Sequence, residues 1–310
     1  MKTLRLDVPP GMAGHTIASA LRGMAHVSHS TAKGILARGL VTLNERVVKD
    51  AAHRLRAGDR IEASFDPGTR YSVPRRVAPT SGFRVLLEDP HLIVVEKDAG
   101  LLTVPASSSS SHGDDSLADR LLALYADRGA RAPHLWVVHR IDRFTSGLVL
   151  FARTASAAAV LKDQFAKRQA RREYLGVCEG IPEPPSGRLE SLLVEDPRSL
   201  KVSETKDRTR GRRAVCSYRI EERLTSAALL RVTLETGRRN QIRVQLASIG
   251  HSLIGDRTYG TQSPLISRVA LHAARLGFTH PHTDRAVSLE SPLPADMTRL
   301  LRRLRQVKNS

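Results

Sequence analysis

The segment from residue 136 to residue 154 constrains the fold more than any other part of the chain. Two apolar runs, Trp136–Val138 and Leu148–Ala152, flank a polar loop in this segment. Short apolar runs bounded by turn residues predict buried strands, and Thr154 predicts the N-cap of a following helix. The apolar positions of that helix would be Ala157, Val160, Leu161 and Phe165. Beyond residue 135, short strands and helices alternate irregularly, which favours an α+β fold over regular βαβ winding.

The polar loop between the two apolar runs holds one carboxylate among cations. Asp142 lies between Arg140 and Arg143. Neighbouring positive charges favour the ionised form of a carboxyl group, and a nucleophile needs that charged form. An aspartate in a loop more often pairs with a neighbour or caps a turn, so the loop alone leaves both interpretations open.

A longer pattern around the loop favours the chemical interpretation. Residues 139–154 read HRIDRFTSGLVLFART, which is similar to the HRLDxxTSGLLLFAKT motif of RluA-type pseudouridine synthases. The resemblance implies that Asp142 is the catalytic aspartate and that Arg140 contacts the RNA substrate. Arg143 is expected to bind RNA through its positive charge.

Further segments extend this resemblance over roughly residues 85–290. They are Leu86–Leu101, Arg171–Val177, Leu234–Leu246 and Gly250–Gly260. The chain departs from the family pattern with Asp98 for Pro, Arg239-Asn240 for Thr-His, Gln245 for His and Ser252 for Pro. By resemblance, the catalytic domain is a mixed, largely antiparallel sheet with a central cleft.

The resemblance also assigns residues to that cleft. It implies that Tyr174 stacks on a base flipped out of the RNA, and that Arg243 forms an ion pair with Asp142. Ile242 would pack on the uracil, and Gln241 belongs to the same substrate-binding segment. The later histidines are expected to be structural.

The first 65 residues resemble an S4 RNA-binding domain. Two helical patterns, one with an apolar stripe from Ile17 to Met24 and one capped by Ser28, precede Val41–Val48 and Gly58–Ile61, which match the strand motifs of that family. Glu45 replaces the turn glycine of the S4 pattern.

Basic residues and linker composition complete this division of the chain. Lys33 and Arg38 represent the basic helix of an S4 domain, so they are expected to bind RNA. Residues 66–84 are rich in Pro and Gly and predict a linker, which leaves 85–310 for the catalytic domain. The serine run 107–111 predicts a loop.

Composition limits the partners and the compartment. Lys and Arg number 49 against 31 Asp and Glu, a formal net charge of +18, so a polyanion such as RNA is a plausible partner. The two cysteines are far apart and no metal or nucleotide-cofactor motif is present. We therefore expect no cofactor, no metal, no membrane segment, a cytoplasmic location and a monomer.

The expected activity is that of an isomerase that converts uridine to pseudouridine. An S4 domain ahead of the catalytic domain resembles the ribosomal members, which favours large-subunit 23S rRNA as the substrate. The alternatives are a tRNA-directed synthase and a non-catalytic RNA-binding or ribosome assembly factor on the same fold. A hydrolase acting on nucleosides or RNA would need a second, opposed carboxyl group.

Overall fold

The computed structural model describes residues 2–67, 81–105, 115–127 and 134–306. The chain divides into two compact units, Met1–Arg76 and Val77–Ser310. Most of the predicted linker, residues 68–80, and the predicted serine loop lie outside the described residues. The first strand of the second unit begins at Phe83, two residues before the predicted start of the catalytic domain.

The first unit is a four-stranded antiparallel sheet with two helices. Its elements are β1 (Lys2–Asp7), a 3-10 helix (Pro10–Met12), α1 (Ile17–Ala25), α2 (His29–Ala37), β2 (Val41–Leu43), β3 (Arg46–Val47) and β4 (Arg60–Phe65). The strand order is β1-β4-β2-β3. Thr16 caps α1 by accepting a hydrogen bond from the Ser19 N–H, and Ser28 caps α2 by accepting one from the Thr31 N–H.

The second unit contains one large sheet and four helices in the described ranges. Its elements are β5 (Phe83–Glu88), β6 (Leu92–Lys97), α3 (Leu117–Asp127), β7 (Trp136–Val137), β8 (Ser146–Ala152), α4 (Ala155–Ala166), β9 (Arg171–Glu179), β10 (Ser186–Glu195), β11 (Val202–Thr205), β12 (Arg212–Arg223), β13 (Ala227–Leu234), α5 (Gln241–Ser248), β14 (Leu271–Thr279), β15 (Ala286–Glu290) and α6 (Ala295–Gln306). The strand order is β11-β10-β12-β13-β9-β14-β8-β6-β5, with β15 beside β14 and β7 beside β8.

Within the described strands, β8 and β14 form the one parallel pair of this sheet, and the other pairs are antiparallel. The prediction of an α+β fold with a largely antiparallel sheet is confirmed.

A glycine makes the parallel contact between β8 and β14 possible. Gly147 has a φ of +111° and lies opposite Ala273. A Cβ atom at this position would overlap the Ala273 carbonyl oxygen, so both the backbone conformation and the space require glycine. The close approach places the loop before β8, which carries Asp142, beside the start of β14.

The apolar core lies on both faces of the large sheet. Ile93, Val95, Val149 and Phe151 pack on the face that carries Tyr174, together with Ile242 of α5. Leu92, Val94, Leu148 and Leu150 pack on the other face with Ala157, Ala158 and Leu161 of α4. Strands buried on both faces lack polar alternation, which is why β6 and β8 read as continuous apolar runs.

Two details of the predicted segment 136–165 were wrong. Trp136 and Val137 are partly exposed rather than buried, because β7 is a short strand that pairs with β8 outside the main strand order. In α4, Val160 is 43% exposed, whereas Phe165 packs against the apolar core as predicted. Thr154 caps α4 as predicted, accepting a hydrogen bond from the Ala157 N–H at 3.2 Å.

The C-terminal helix α6 packs on the second unit through an apolar stripe. Its buried side chains are Met297, Leu300, Leu301 and Leu304. Across the described ranges, no helix combines the length and apolar character needed to span a membrane.

Candidate active site

A cavity of about 400 Å³ opens in the second unit beside the loop that carries Asp142. Six of the residues predicted from the sequence line it, namely Asp142, Tyr174, Arg243, Arg140, Ile242 and Gln241. They come from the loop before β8, from β9 and from α5. The fold therefore brings together side chains that lie about one hundred residues apart in the chain.

Backbone contacts fix the loop on both sides of Asp142. The Thr103 hydroxyl donates to the Ile141 carbonyl oxygen at 2.8 Å and accepts from the Ile141 N–H at 3.2 Å. The Gly100 N–H donates to the Arg143 carbonyl oxygen at 2.8 Å. The segment 100–103 thus holds the residue before and the residue after Asp142, which limits the positions of its carboxylate.

Lys97 ties the same two segments together and was not singled out from the sequence. Its side chain is fully buried, and its ammonium donates to the carbonyl oxygens of Asp98, Leu101 and Arg143 at 2.9, 2.8 and 3.2 Å. Burial lowers the pKa of Lys97 to about 7, although the charge of Asp142 opposes the shift. A lysine at the end of an apolar strand is normally expected to be exposed to solvent, so the sequence pattern did not indicate that Lys97 is buried.

Arg243 lies between two carboxylates and binds one of them much more closely. Its Nε and Nη2 donate to the two oxygens of Asp256, both at 2.7 Å. Its Nη1 donates to the Asn240 side-chain oxygen at 2.9 Å and lies 3.7 Å from the Asp142 carboxylate. The expected ion pair with Asp142 is present, but Asp256 is the partner that orients the guanidinium.

Asp256 is a second site residue that sequence reasoning missed. It is buried, and it also accepts hydrogen bonds from the Thr258 and Tyr259 N–H groups at 2.9 and 3.1 Å. These donors and Arg243 lower the pKa of Asp256 despite its burial. The signal was present in the Gly255-Asp256 pair of the family-like segment, but spacing alone does not show which cation it meets.

Burial and neighbouring charges shift the pKa of the Asp142 carboxyl group in opposite directions. Burial raises its pKa above the ordinary value, and the charges of Arg243, Arg239 and Arg140 oppose that rise. A hydrogen bond from the Asn240 backbone also lowers the pKa of Asp142. The side chain remains 28% exposed, so a ligand in the cavity can reach it.

Tyr174 forms part of the floor of the cavity. It lies on β9 opposite Val232 of β13 and Ala273 of β14, and it is 7% exposed. Burial raises the pKa of Tyr174 to about 12, and the nearby Asp142 adds to that rise. The phenol therefore keeps its proton at neutral pH and can donate a hydrogen bond.

Besides Arg243, helix α5 contributes one apolar side chain, Ile242, and one neutral polar side chain, Gln241, to the cavity. Ile242 is buried and lines the cavity. The Gln241 side-chain oxygen accepts from the Thr236 hydroxyl at 2.8 Å and from the Arg238 N–H at 3.0 Å. Its side-chain nitrogen is buried and has no hydrogen-bond partner among the described residues.

The departure at Arg239-Asn240 lies directly beside the catalytic candidates. Asn240, at the N-cap position of α5 with a φ of +51°, accepts from Arg243 and donates to the Tyr259 hydroxyl at 3.2 Å. Arg239 forms an ion pair with Glu195. Asn240 thus belongs to the group of side chains that hold Arg243.

The remaining predicted residues lie outside the cavity. Arg143 donates to the Gly100 carbonyl oxygen at 2.9 Å and is not among the residues that line the cavity. Lys33 and Arg38 are exposed on and just after α2 of the first unit. In the described ranges, no three His, Cys, Asp or Glu side chains are grouped as metal ligands would be.

Comparisons with known proteins agree with this geometry. Residues 91–248 match the family described as RNA pseudouridylate synthase. A relative from Zymomonas mobilis, named ribosomal large subunit pseudouridine synthase D, is 32% identical, and the match covers 98% of both chains. A relative of the same name from Nitrosomonas europaea is 33% identical over 99% of this chain and 90% of its own.

The fold has a solved counterpart as well. The human RNA pseudouridylate synthase domain containing 4 matches with a TM-score of 0.59 at 24% identity, over 71% of this chain and 92% of that chain. This structure supports the fold, and the sequence relatives extend the likeness over almost the whole chain. The chain therefore belongs to the RNA pseudouridylate synthase family.

Proposed function

We propose that this protein converts uridine to pseudouridine in the RNA of the large ribosomal subunit, with Asp142 as the catalytic carboxylate. The observation that carries the proposal is the common cavity of Asp142, Tyr174 and Arg243. The choice of RNA rests on relatives from two organisms, which are both named as acting on the large ribosomal subunit.

Asp142 supplies the reactive group in this proposal. The isomerisation breaks the bond between uracil N1 and ribose C1′ and forms a bond between C5 and C1′. The hydrogen on C5 leaves as a proton and N1 takes up a proton, so the composition is unchanged. An ionised carboxylate can attack the nucleotide or stabilise the cation that forms. Arg243 supports the ionised form from 3.7 Å, and the contacts of Thr103 and Gly100 hold the loop in position.

Tyr174 and Ile242 supply a place for the detached base. Both are buried and line the cavity on the same side of the sheet. A flat base can stack between an aromatic ring and an aliphatic side chain once it leaves the RNA stack. The Tyr174 phenol stays protonated because its pKa is about 12, so it can donate a hydrogen bond to the base.

A hydrolase would need a second carboxyl group that acts as an acid. Glu235 also lines the cavity, but Arg188 and Arg168 lie 3.1 and 3.6 Å from its oxygens. The hydrogen bond from Arg188 lowers the pKa of Glu235. Glu235 is therefore ionised at neutral pH and poorly suited to protonate a leaving group.

The first unit is proposed to act as an S4 RNA-binding domain. Lys33 is exposed on α2 and Arg38 is exposed at its C-cap. Exposed cations of this kind bind phosphates and make binding depend on salt. Arg140 at the cavity and Arg143 beside it would contribute to the same electrostatic attraction.

The experiment that tests the substrate is tritium release from RNA labelled at uridine C5. Unmodified transcripts of large-subunit rRNA and small-subunit rRNA, together with tRNA, are each incubated with the full chain. The proposal predicts release from the large-subunit transcript at a rate well above that from the other two. Faster release from tRNA would replace the proposed substrate, and RNA binding without release would favour an assembly factor.

A further inference from the structure

Arg172 is a buried cation that lines the cavity and has no obvious role in the chemistry described so far. It is 8% exposed. Its Nε is buried with no hydrogen-bond partner, and no carboxylate or carbonyl among the described residues forms a hydrogen bond or an ion pair with its guanidinium. A desolvated charge without a partner is strongly unfavourable for folding, so its retention needs an explanation.

The groups around Arg172 do not neutralise it. The centre of the Phe165 ring lies 5.2 Å from its guanidinium carbon. His139 is neutral, because burial and the charge of Arg172 lower its pKa to about 3, and its Nε2 already accepts the Leu150 N–H at 3.1 Å. Tyr174 is neutral as well.

Other arginines already hold the nearby carboxylates. Glu235 is bound by Arg188 and Arg168. Glu173, the next residue along β9, is bound by Arg171 and Arg231. Burial lowers the pKa of Arg172, which is the direction expected for a cation that lacks a counter-ion.

Gly237 provides the space in which the Arg172 guanidinium lies. A Cβ atom at position 237 would overlap Arg172 Nη1. Any other residue at this position would therefore displace the guanidinium or be displaced by it. The position of the Arg172 guanidinium in the cavity thus depends on the absence of a side chain at Gly237, in the loop after β13.

We propose that Arg172 binds a phosphate of the RNA strand next to the target uridine, inside the cavity. This inference rests on the proposed function. A phosphodiester supplies a counter-ion for Arg172, which forms no ion pair within the described ranges, whereas a base carbonyl supplies an acceptor without a charge. The planar guanidinium also presents paired N–H groups that match phosphate oxygens.

The position of Arg172 on β9 fits this role. Arg172 and Tyr174 are two residues apart and both line the cavity, so they lie on the same face of the strand about 7 Å apart. That separation is within the span of one nucleotide. A base stacked on Tyr174 would then bring a phosphate of the same nucleotide to Arg172.

The test is calorimetric binding of uridine, uridine 5′-monophosphate and uridine 3′-monophosphate to the full chain. Wild type is expected to bind one monophosphate at least about tenfold more tightly than uridine, and the preferred isomer shows which phosphate is held. Arg172→Gln should abolish this preference and leave the affinity for uridine unchanged. Arg171→Gln is the matched control, since Arg171 is exposed and pairs with Glu173, and it should keep the preference.

The melting temperature of the variants distinguishes a ligand-binding role of Arg172 from a structural role. Removing an unpaired buried charge should leave the melting temperature of Arg172→Gln equal to that of wild type or above it. Gly237→Ala should weaken the monophosphate preference, because the new methyl group displaces the guanidinium.

Four results would overturn the proposal. They are equal binding of uridine and both monophosphates to wild type, a preference that persists in Arg172→Gln, an equal loss of affinity for all three ligands, and a melting temperature far below that of wild type. None of these measurements requires turnover. A protein that releases no tritium from RNA would contradict the proposed function and still give a clear answer about Arg172.

Discussion

Arg243 is clamped by Asp256 through two hydrogen bonds of 2.7 Å, while its distance to Asp142 is 3.7 Å. Asp256, which was not among the predicted site residues, therefore orients the guanidinium. Arg243 then interacts with Asp142 mainly through its positive charge. This arrangement leaves the Asp142 oxygens less engaged than a direct two-point ion pair would, so they remain available to substrate.

Asp256→Asn should lower activity by loosening Arg243. Breaking a buried ion pair costs about 3 kcal/mol or more, and a displacement of about 1 Å near the reacting atoms can reduce a rate roughly a hundredfold. We expect kcat to fall by this order and the free energy of unfolding to decrease. Steady-state tritium release and urea denaturation measure the two effects.

Glu222→Gln is the matched control for Asp256→Asn. Glu222 binds Arg305 with the same two-point geometry, at 2.8 and 2.7 Å, but on the exposed surface. Its substitution should change neither kcat nor stability by much. Equal effects of the two substitutions would show that Asp256 has no special relation to the site.

Asp142→Asn should make the folded protein more stable at neutral pH. Because burial raises the pKa of Asp142, the folded state binds this proton more tightly than the unfolded state, whose pKa is about 3.9. The resulting stability is complete below the unfolded pKa and is lost as pH rises through the folded pKa. The variant should therefore exceed wild type in urea denaturation at pH 7, with a difference that shrinks towards pH 4. A wild type that is the more stable protein at pH 7 would contradict the raised pKa.

Lys97 should make stability increase with pH above neutrality. The pKa of Lys97 is about 7 in the folded protein and about 10.4 when unfolded, so between these values the unfolded chain binds the extra proton. Stability then rises by up to about 1.4 kcal/mol per pH unit. The difference in unfolding free energy between wild type and Lys97→Met, measured from pH 7 to pH 9, should grow accordingly. A constant difference would assign Lys97 an ordinary pKa.

Glu45→Gly should stabilise the first unit. Asn44 and Glu45 form the turn between β2 and β3 with φ angles of +49° and +67°, and a left-handed conformation costs a residue other than glycine about 1 kcal/mol. The melting temperature of the first unit, followed by a probe in that unit of the full chain, should rise by about 4–8 °C, the shift that about 1 kcal/mol produces in a domain of this size. No shift, or a loss of stability, would show that the Glu45 side chain compensates for its backbone strain.

The sequence predicted the local structure around Asp142 well, because that information is local. Apolar runs bounded by turn residues and the cap at Thr154 together specify β8, its preceding loop and α4. The predicted burial of Trp136 and Val137 was wrong, since the burial of a short strand depends on which strands lie beside it in the sheet.

The meeting of Asp142, Tyr174 and Arg243 could be predicted from the resemblance but not from the residues alone. Their contact depends on the parallel pairing of β8 with β14 and on the placement of β9 beside β14. The roles of Asp256 and Lys97 were missed for a related reason. Each depends on which charges are present or absent around a buried side chain, and that requires the three-dimensional structure.

The central claim is that Asp142 carries the reaction in a cavity built for a uridine of RNA. The most direct measurement is tritium release from C5-labelled large-subunit rRNA by wild type and by Asp142→Asn, with the fold of both proteins checked by thermal melting. The account predicts release by wild type and no release above background by the variant, at equal RNA binding. Release by a folded Asp142→Asn protein at a rate near that of wild type would contradict it.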